Sequence, residues 1–275
     1  MSQFQRIMKY FAIAFAIFLI FSIISSIMIG VQTITMIFSD DGIGEKLEVL
    51  NIHGDSQVLD IDLSFSQLWI KKGDTFQIKS NQKNIEVIEN ADTLILKEKK
   101  RNWLLDLFKL NDDRVLVVYV PDDLIFDEVS IENGVGKVKI EILKARKLNL
   151  DLGAGKVEID HVVVTEETIM DGGAGEMIVR HGKLHDLDLD LGVGNVSFTA
   201  LITGNSQIDA GVGSMNLQLV GTLSDYKLKL DKGIGTVMID GAKMGDNTYY
   251  GSGNHFIDID GGVGSIQVGF IDEFY

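Results

Sequence analysis

In Leu148-Asn149-Leu150-Asp151-Leu152 every second residue is apolar, the period-2 pattern of a strand with one buried face. Beyond Gly153-Ala154-Gly155 the alternation resumes in Val157-Glu158-Ile159-Asp160, out of step by one position. A straight continuation would turn Lys156 inward and Val157 outward. A bulge or tight corner at Gly-x-Gly removes the conflict, because glycine reaches backbone angles closed to other residues. The same change of parity surrounds Gly192, with Leu187, Leu189 and Leu191 before it and Val196 and Phe198 after it. It recurs at Gly233, between Leu228, Leu230 and Val237, Ile239. The unit reads as strand, corner, strand.

This unit repeats. Gly-(Ala/Val/Ile)-Gly begins at Gly134, Gly153, Gly173, Gly192, Gly211, Gly233 and Gly262, at intervals of 19, 20, 19, 19, 22 and 29 residues. Two residues before each stands an acid: Glu132, Asp151, Asp171, Asp190, Asp209, Asp231 and Asp260. Two short strands cannot bury an apolar face alone, whereas stacked coils share one core. The expected fold is all-β, a single-stranded β-solenoid (β-helix) whose seven units span roughly 29 Å. An antiparallel sandwich would call for varied turns instead of one corner repeated in place. A column of carboxylates repels itself unless corner N–H groups or divalent cations compensate. Because every coil carries the acid, the expected role is structural. Asp151 with Gly153 and Gly155, Asp190 with Gly192 and Gly194, and Asp209 with Gly211 and Gly213 are read as corner groups. Residues 47–130 read as an irregular first part of the same stack, with Ser64-Phe65-Ser66 in the place of Gly-x-Gly. Strands are expected there near 76–79, 85–88, 94–97 and 115–120.

The N-terminus follows another rule. From Tyr10 to Gly30 no residue is charged, and the apolar character continues to Phe38. A helix of this length crosses a hydrocarbon core of about 30 Å. Arg6 and Lys9 precede it and Asp40 and Asp41 follow, which sets the N-terminus inside and the remainder outside. The run exceeds a secretory h-region and ends without a small-x-small cleavage site. The expected division is a cytoplasmic stub and transmembrane signal-anchor helix over 1–38, a short stalk over 39–46 and an ectodomain over 47–275, with Gly-x-Gly coils from 131. The lipid bilayer is thus a partner through residues 10–38.

Charge narrows the partners. The chain has 40 acids, 25 bases and no cysteine, for a formal charge of −15. Arg6 and Lys9 are the only charges before residue 39, so the remainder carries −17. That argues against nucleic acid, whose phosphates require Lys and Arg, and the missing cysteine rules out lipidation as a lipoprotein. The five histidines are scattered; His181 and His185 have metal spacing only on a helix, which Gly182 in a β pattern disfavours. Gly153-Ala154-Gly155-Lys156 lacks the rest of a phosphate loop, and no nucleophile elbow or dinucleotide fingerprint is present. No cofactor is implied. Two segments break the repeat. Lys97–Arg114 sets a basic cluster beside Trp103 and Phe108, suited to capping the stack or touching a membrane. Gly241–His255 carries Tyr249 and Tyr250, which could stack on a sugar, or simply closes a longer coil.

Val115–Pro121, followed by Val129-Ser130-Ile131-Glu132-Asn133-Gly134-Val135-Gly136 and the later units, resembles a bacterial domain family. It is the "putative adhesin" domain family of unknown function, which includes LiaG-like membrane proteins of the Gram-positive envelope-stress response. The likeness covers roughly residues 50–270 and includes Ser64–Ile70. It implies a β-solenoid ectodomain on an N-terminal anchor and a link to envelope sensing or adhesion, and it supplies no catalytic or binding residue. The combined expectation is a non-enzymatic surface protein whose partner is an envelope component or a membrane protein. The alternative is a β-helix enzyme acting on a polysaccharide.

Overall fold

The computed structural model describes residues 47–52, 56–99, 114–245 and 248–274. The expected anchor over 10–38, the stalk over 39–46 and the side chains of Trp103 and Phe108 lie outside the described residues. Within them the chain is all-β and is wound into a solenoid-like stack of parallel coils. The strands are β1 (Glu48–Leu50), β2 (Val58–Lys72), β3 (Gln77–Ser80), β4 (Ile85–Asn90), β5 (Thr93–Glu98), β6 (Val115–Val120) and the continuous 60-residue ribbon β7 (Phe126–His185). They continue as β8 (Leu187–Thr203), β9 (Asn205–Val220), β10 (Tyr226–Asp231), β11 (Ile234–Ile239), β12 (Ala242–Lys243), β13 (Thr248–Tyr250) and β14 (His255–Ile271).

Each coil lies parallel to its neighbour at matching positions. Val196 of β8 faces Met177 and Met215, and Gly194 faces Gly175 and Gly213. The parity change is directly visible: Leu187, Leu189 and Leu191 are buried before the corner, and Val196, Phe198, Ala200 and Ile202 after it. The core is therefore made of columns. One runs Leu68, Val138, Val157, Met177, Val196, Met215, Ile266, Val237, and a second runs Ile70, Ile140, Ile159, Val179, Phe198, Leu217, Val268, Ile239, all buried. Stacking lets each aliphatic side chain bury itself on its counterparts above and below.

The corner glycines close the stack by backbone approach. A Cβ on Gly194 would sit 1.8 Å from the Gly175 carbonyl oxygen, and the residue holds φ +151°. No side chain fits there. In the register of β2 against β7, Phe65 faces Val135 and Ser66 faces Gly136, which aligns Ser64-Phe65-Ser66 with the first Gly-x-Gly.

The order of coils departs from the order of the sequence at both ends. β2 pairs with β7 on one side and with β5 and β6 on the other, so residues 93–120 lie outside 58–72. At the far end β14 pairs with β9 on one side and with β10 and β11 on the other, so residues 255–271 are inserted beneath 226–239. The Gly241–His255 segment is the return path that this insertion needs. Nine layers result among the described residues, roughly 38 Å at a parallel strand spacing. Antiparallel strands cover both ends: β4 on β5, β3 on β6 and β1 on β3 at one, β12 on β11 and β13 on β10 at the other. Covered edges remove a template for unwanted strand addition.

Where β5 and β6 flank the interrupted outermost corner, a side chain replaces a coil. The Glu98 carboxylate, 4% exposed, accepts from Ser64 N at 2.8 Å, Phe65 N at 3.2 Å and Ser66 Oγ at 3.3 Å. Its other oxygen accepts from Arg114 Nη1 at 3.1 Å and Asn84 Nδ2 at 3.3 Å.

Candidate interaction surfaces

With the inward positions occupied by the core, the outward positions form two lattices, one on each side of the corner. On the first, the acids align. Asp62 faces Glu132, Asp171 faces Asp190, Asp190 faces Asp209, and Asp209 and Asp231 flank Asp260. The expected compensation by corner N–H groups holds, among the described hydrogen bonds, at Asp231 alone, which accepts from Gly233 N at 3.2 Å. Asp151 and Asp190 stand outward, and Asp209 accepts from Gln207 Nε2 at 2.9 Å. The corner after Asp231 differs from the others: β10 ends there and Gly233 holds φ +54°, whereas β8 and β9 run unbroken through theirs. The column keeps its repulsion. Lost hydration pushes the Asp171 and Asp260 carboxyls up, and the neighbouring acids push them further. Among the described residues no group of three or more His, Asp or Glu is arranged to hold a metal ion.

The second lattice changes character along the stack. At the N-terminal end it carries Trp69, Tyr119 and lysines. In the middle it is ion-paired: Lys137 lies 3.1 Å and Lys156 3.0 Å from Glu158, and Arg180 lies 2.6 Å from Asp160. Burial pushes the Glu158 carboxyl up, but hydrogen bonds from Lys156 and Lys137 and their charges outweigh it and hold it at about 2. Towards the C-terminal end Asn195, Ser197, Thr199, Ser214, Asn216, Gln218, Ser265 and Gln267 make the face neutral.

Two histidines expected to be scattered come together. His161 and His181 are one coil apart and stack with ring centroids at 4.5 Å and planes 9° apart. A bulge between Val179 and Gly182 adjusts the register there, and His181 Nδ1 lies 3.1 Å from the Asp160 carbonyl oxygen. Their signal in the sequence is a separation equal to one coil. Together with Lys72, Asp122, Glu141, Ile142 and Asp160 they line an open cavity of about 460 Å³. A Lys72–Asp122 ion pair crosses its rim.

The tyrosines do not form a shared platform. Tyr249 faces Lys229 and is 55% exposed, with the Lys227 ammonium 5.0 Å from its ring centre. Tyr250 faces Leu228, packs against the core and accepts at Oη from Gly245 N at 2.8 Å. Adjacent residues of one strand point to opposite faces, so the pair cannot stack on one sugar ring. His255 lies instead beside Tyr226, at 5.6 Å between ring centres.

Comparison with known proteins extends this description. The sequence profile of the Toastrack DUF4097 family matches residues 47–260. Among solved structures, a "putative cell adhesion protein" from Clostridium sporogenes ATCC 15579 is 18% identical, over 82% of this chain and 99% of that one, with a TM-score of 0.41. A "putative adhesin" from Bacteroides fragilis NCTC 9343 is 18% identical, over 82% and 98%, with a TM-score of 0.38. No curated protein matches the chain.

Proposed function

Given that the chain belongs to the Toastrack DUF4097 family, we propose that it is a non-enzymatic surface protein, held in the cell membrane through residues 10–38, whose coil stack is a binding scaffold for envelope components. The observation that carries this reading is the continuity of the two outward lattices. Matching positions face one another across five described coils from Asp171 through Asp190, Asp209 and Asp260 to Asp231, and across three from Ser197 through Asn216 to Gln267. An extended flat lattice suits contact with a large, repetitive partner, whereas catalysis needs a few groups converging on one reacting atom. The apolar run from Tyr10 to Phe38 and the flanking charges support an outward-facing domain on a cytoplasmic N-terminus.

In-cell crosslinking tests the proposal. A photoreactive residue at Asn216, in the neutral part of the second lattice, is expected to capture an envelope component in intact cells. Comparison with and without envelope stress reads a role in sensing. Turnover of a cell-wall polysaccharide by the purified chain, abolished by Tyr249→Phe or His255→Ala, would overturn the non-enzymatic reading.

A further inference from the structure

A domain of charge −17 carries a group of lysines on the outward face of its N-terminal end. There β1, β3, β6, β2 and β7 run side by side, and successive partners form the row Val49, Lys79, Val117, Trp69, Lys139. The adjoining row holds Tyr119 opposite Lys71. These positions face away from the main core, yet Trp69 is 4% exposed and Val117 is fully buried. The lysines cover them. Lys71 Nζ stands 4.2 Å and Lys139 Nζ 5.8 Å from the Trp69 ring centre, and Lys79 Nζ stands 4.9 Å from that of Tyr119. Such a side chain lays its apolar stem on the ring and carries its charge to the surface. Beside them Val49, on the outermost strand, is 52% exposed. Acids adjoin the group as well: Glu48 precedes Val49, Glu141 accepts from Lys72 N at 3.2 Å, and Asp122 pairs with Lys72.

Position identifies the occupant. Glu48, the first of β1, stands only ten positions after Phe38, where the apolar run ends. Ten residues reach at most about 33–36 Å. The lysine-bearing face is thus confined to the neighbourhood of the bilayer surface, on the reading that residues 10–38 are the anchor. Cations backed by aromatic rings, with an apolar residue at the rim, match an anionic headgroup layer. The acidic column, which such a layer repels, occupies the other lattice. We propose that Lys71, Lys79 and Lys139, over Trp69 and Tyr119 and with Val49 at the edge, dock the domain against the phosphates of anionic phospholipids in the membrane that holds its own anchor.

The chain contains no cysteine, so single labels are clean. The full chain carrying a spin label at Val49→Cys is reconstituted into nanodiscs of phosphatidylcholine alone or of equal parts phosphatidylcholine and phosphatidylglycerol. Lys243→Cys, on the opposite cap, is the reference. Accessibility to a water-soluble relaxation agent is the readout. The label at 49 is expected to be shielded in the mixed discs and open in phosphatidylcholine, with no change at 243. Shielding should fall about fivefold per lysine neutralised, so Lys71→Gln with Lys79→Gln and Lys139→Gln removes it and the triple arginine variant keeps it. Equal shielding in both discs, or shielding that survives the glutamine variant, contradicts the proposal. So does shielding in phosphatidylcholine that appears only with soluble polyphosphate, which assigns the patch to a free polyanion. The lipid comparison on otherwise unchanged residues decides the matter even where the triple variants fail to fold. Alkaline extraction separates the two readings: a chain released from the membrane refutes the anchor, whereas a retained chain with an open label refutes the docking alone.

Discussion

Replacing Gly194 with alanine puts a methyl group where the stack leaves no room. The Cβ would lie 1.8 Å from the Gly175 carbonyl oxygen, and real Cβ contacts essentially never fall below 3.0 Å. The carbonyl must therefore retreat by about 1.2 Å within a spacing of about 4.8 Å, which breaks the two or three ladder hydrogen bonds nearest the corner. At about 0.5–1.5 kcal/mol each, that loss is about 1–4.5 kcal/mol. Holding a non-glycine residue at φ +151° adds about 1–3 kcal/mol. Gly241→Ala separates the two contributions, since Gly241 holds φ +77° with nothing within 4 Å of the added methyl. It should show the backbone strain alone, about 1–3 kcal/mol. Denaturant titration of the full chain in detergent, followed by circular dichroism, reads both. Gly194→Ala should unfold at clearly lower denaturant than Gly241→Ala; equal midpoints would refute the claim that backbone contact between coils closes the corner.

Glu98→Ala removes the acceptor of two corner N–H groups, at about 1–3 kcal/mol for each group left without a partner. Amide exchange at Ser64 and Phe65 should accelerate strongly, and Glu98→Gln, which keeps an acceptor oxygen, should do so less; unchanged exchange in the alanine variant would contradict the capping role. The two kinds of surface carboxylate should respond to pH with opposite sign. Glu158, held at about 2 against an ordinary 4.5, contributes stability that is complete above pH 4.5 and lost as pH falls towards 2. With solvent screening it amounts to about 1–2 kcal/mol, so Glu158→Gln should destabilise at pH 7 and lose its effect in acid. Asp171 is exposed and its carboxyl is pushed up, so its cost is present at neutral pH and relieved as pH falls through its raised value. Asp171→Asn should stabilise at pH 7 by about 0.2–1 kcal/mol and gain nothing in acid. Melting temperatures across pH check both signs.

The repeat was legible because stacking turns identical positions into neighbours. Leu187, Leu189 and Leu191 against Val196 and Phe198 disclose the corner from parity alone, and Ser64-Phe65-Ser66 discloses a coil without glycine. The order of coils was not legible, since the intervals of 22 and 29 residues fit an added loop as well as a return path beneath Gly233. The acids were read as corner groups from their distance to glycine; among the described hydrogen bonds only Asp231 accepts from a corner N–H. Tyr249 and Tyr250 look paired in sequence and are separated by strand alternation. His161 and His181 look unrelated and are joined by the coil period. The lysine and aromatic cluster escaped notice because Val49, Trp69, Lys79, Tyr119 and Lys139 come from five strands far apart in sequence, while Trp103 and Phe108 form an obvious local run.

The stack with its folded-back ends is tested most directly by disulfide trapping. Ser214 of β9 faces Ser265 of β14, at a parallel spacing of about 4.8 Å, within the Cα separations of about 4.4–6.8 Å that a disulfide accepts. Thr236 lies one layer further, about 9.6 Å from Ser214, beyond a disulfide's reach. Mild oxidation of the full chain in membranes should crosslink Ser214→Cys with Ser265→Cys rapidly and leave Ser214→Cys with Thr236→Cys open. The opposite outcome, bonding of 214 to 236 and none to 265, would mean that the coils follow the sequence, and would contradict the fold described.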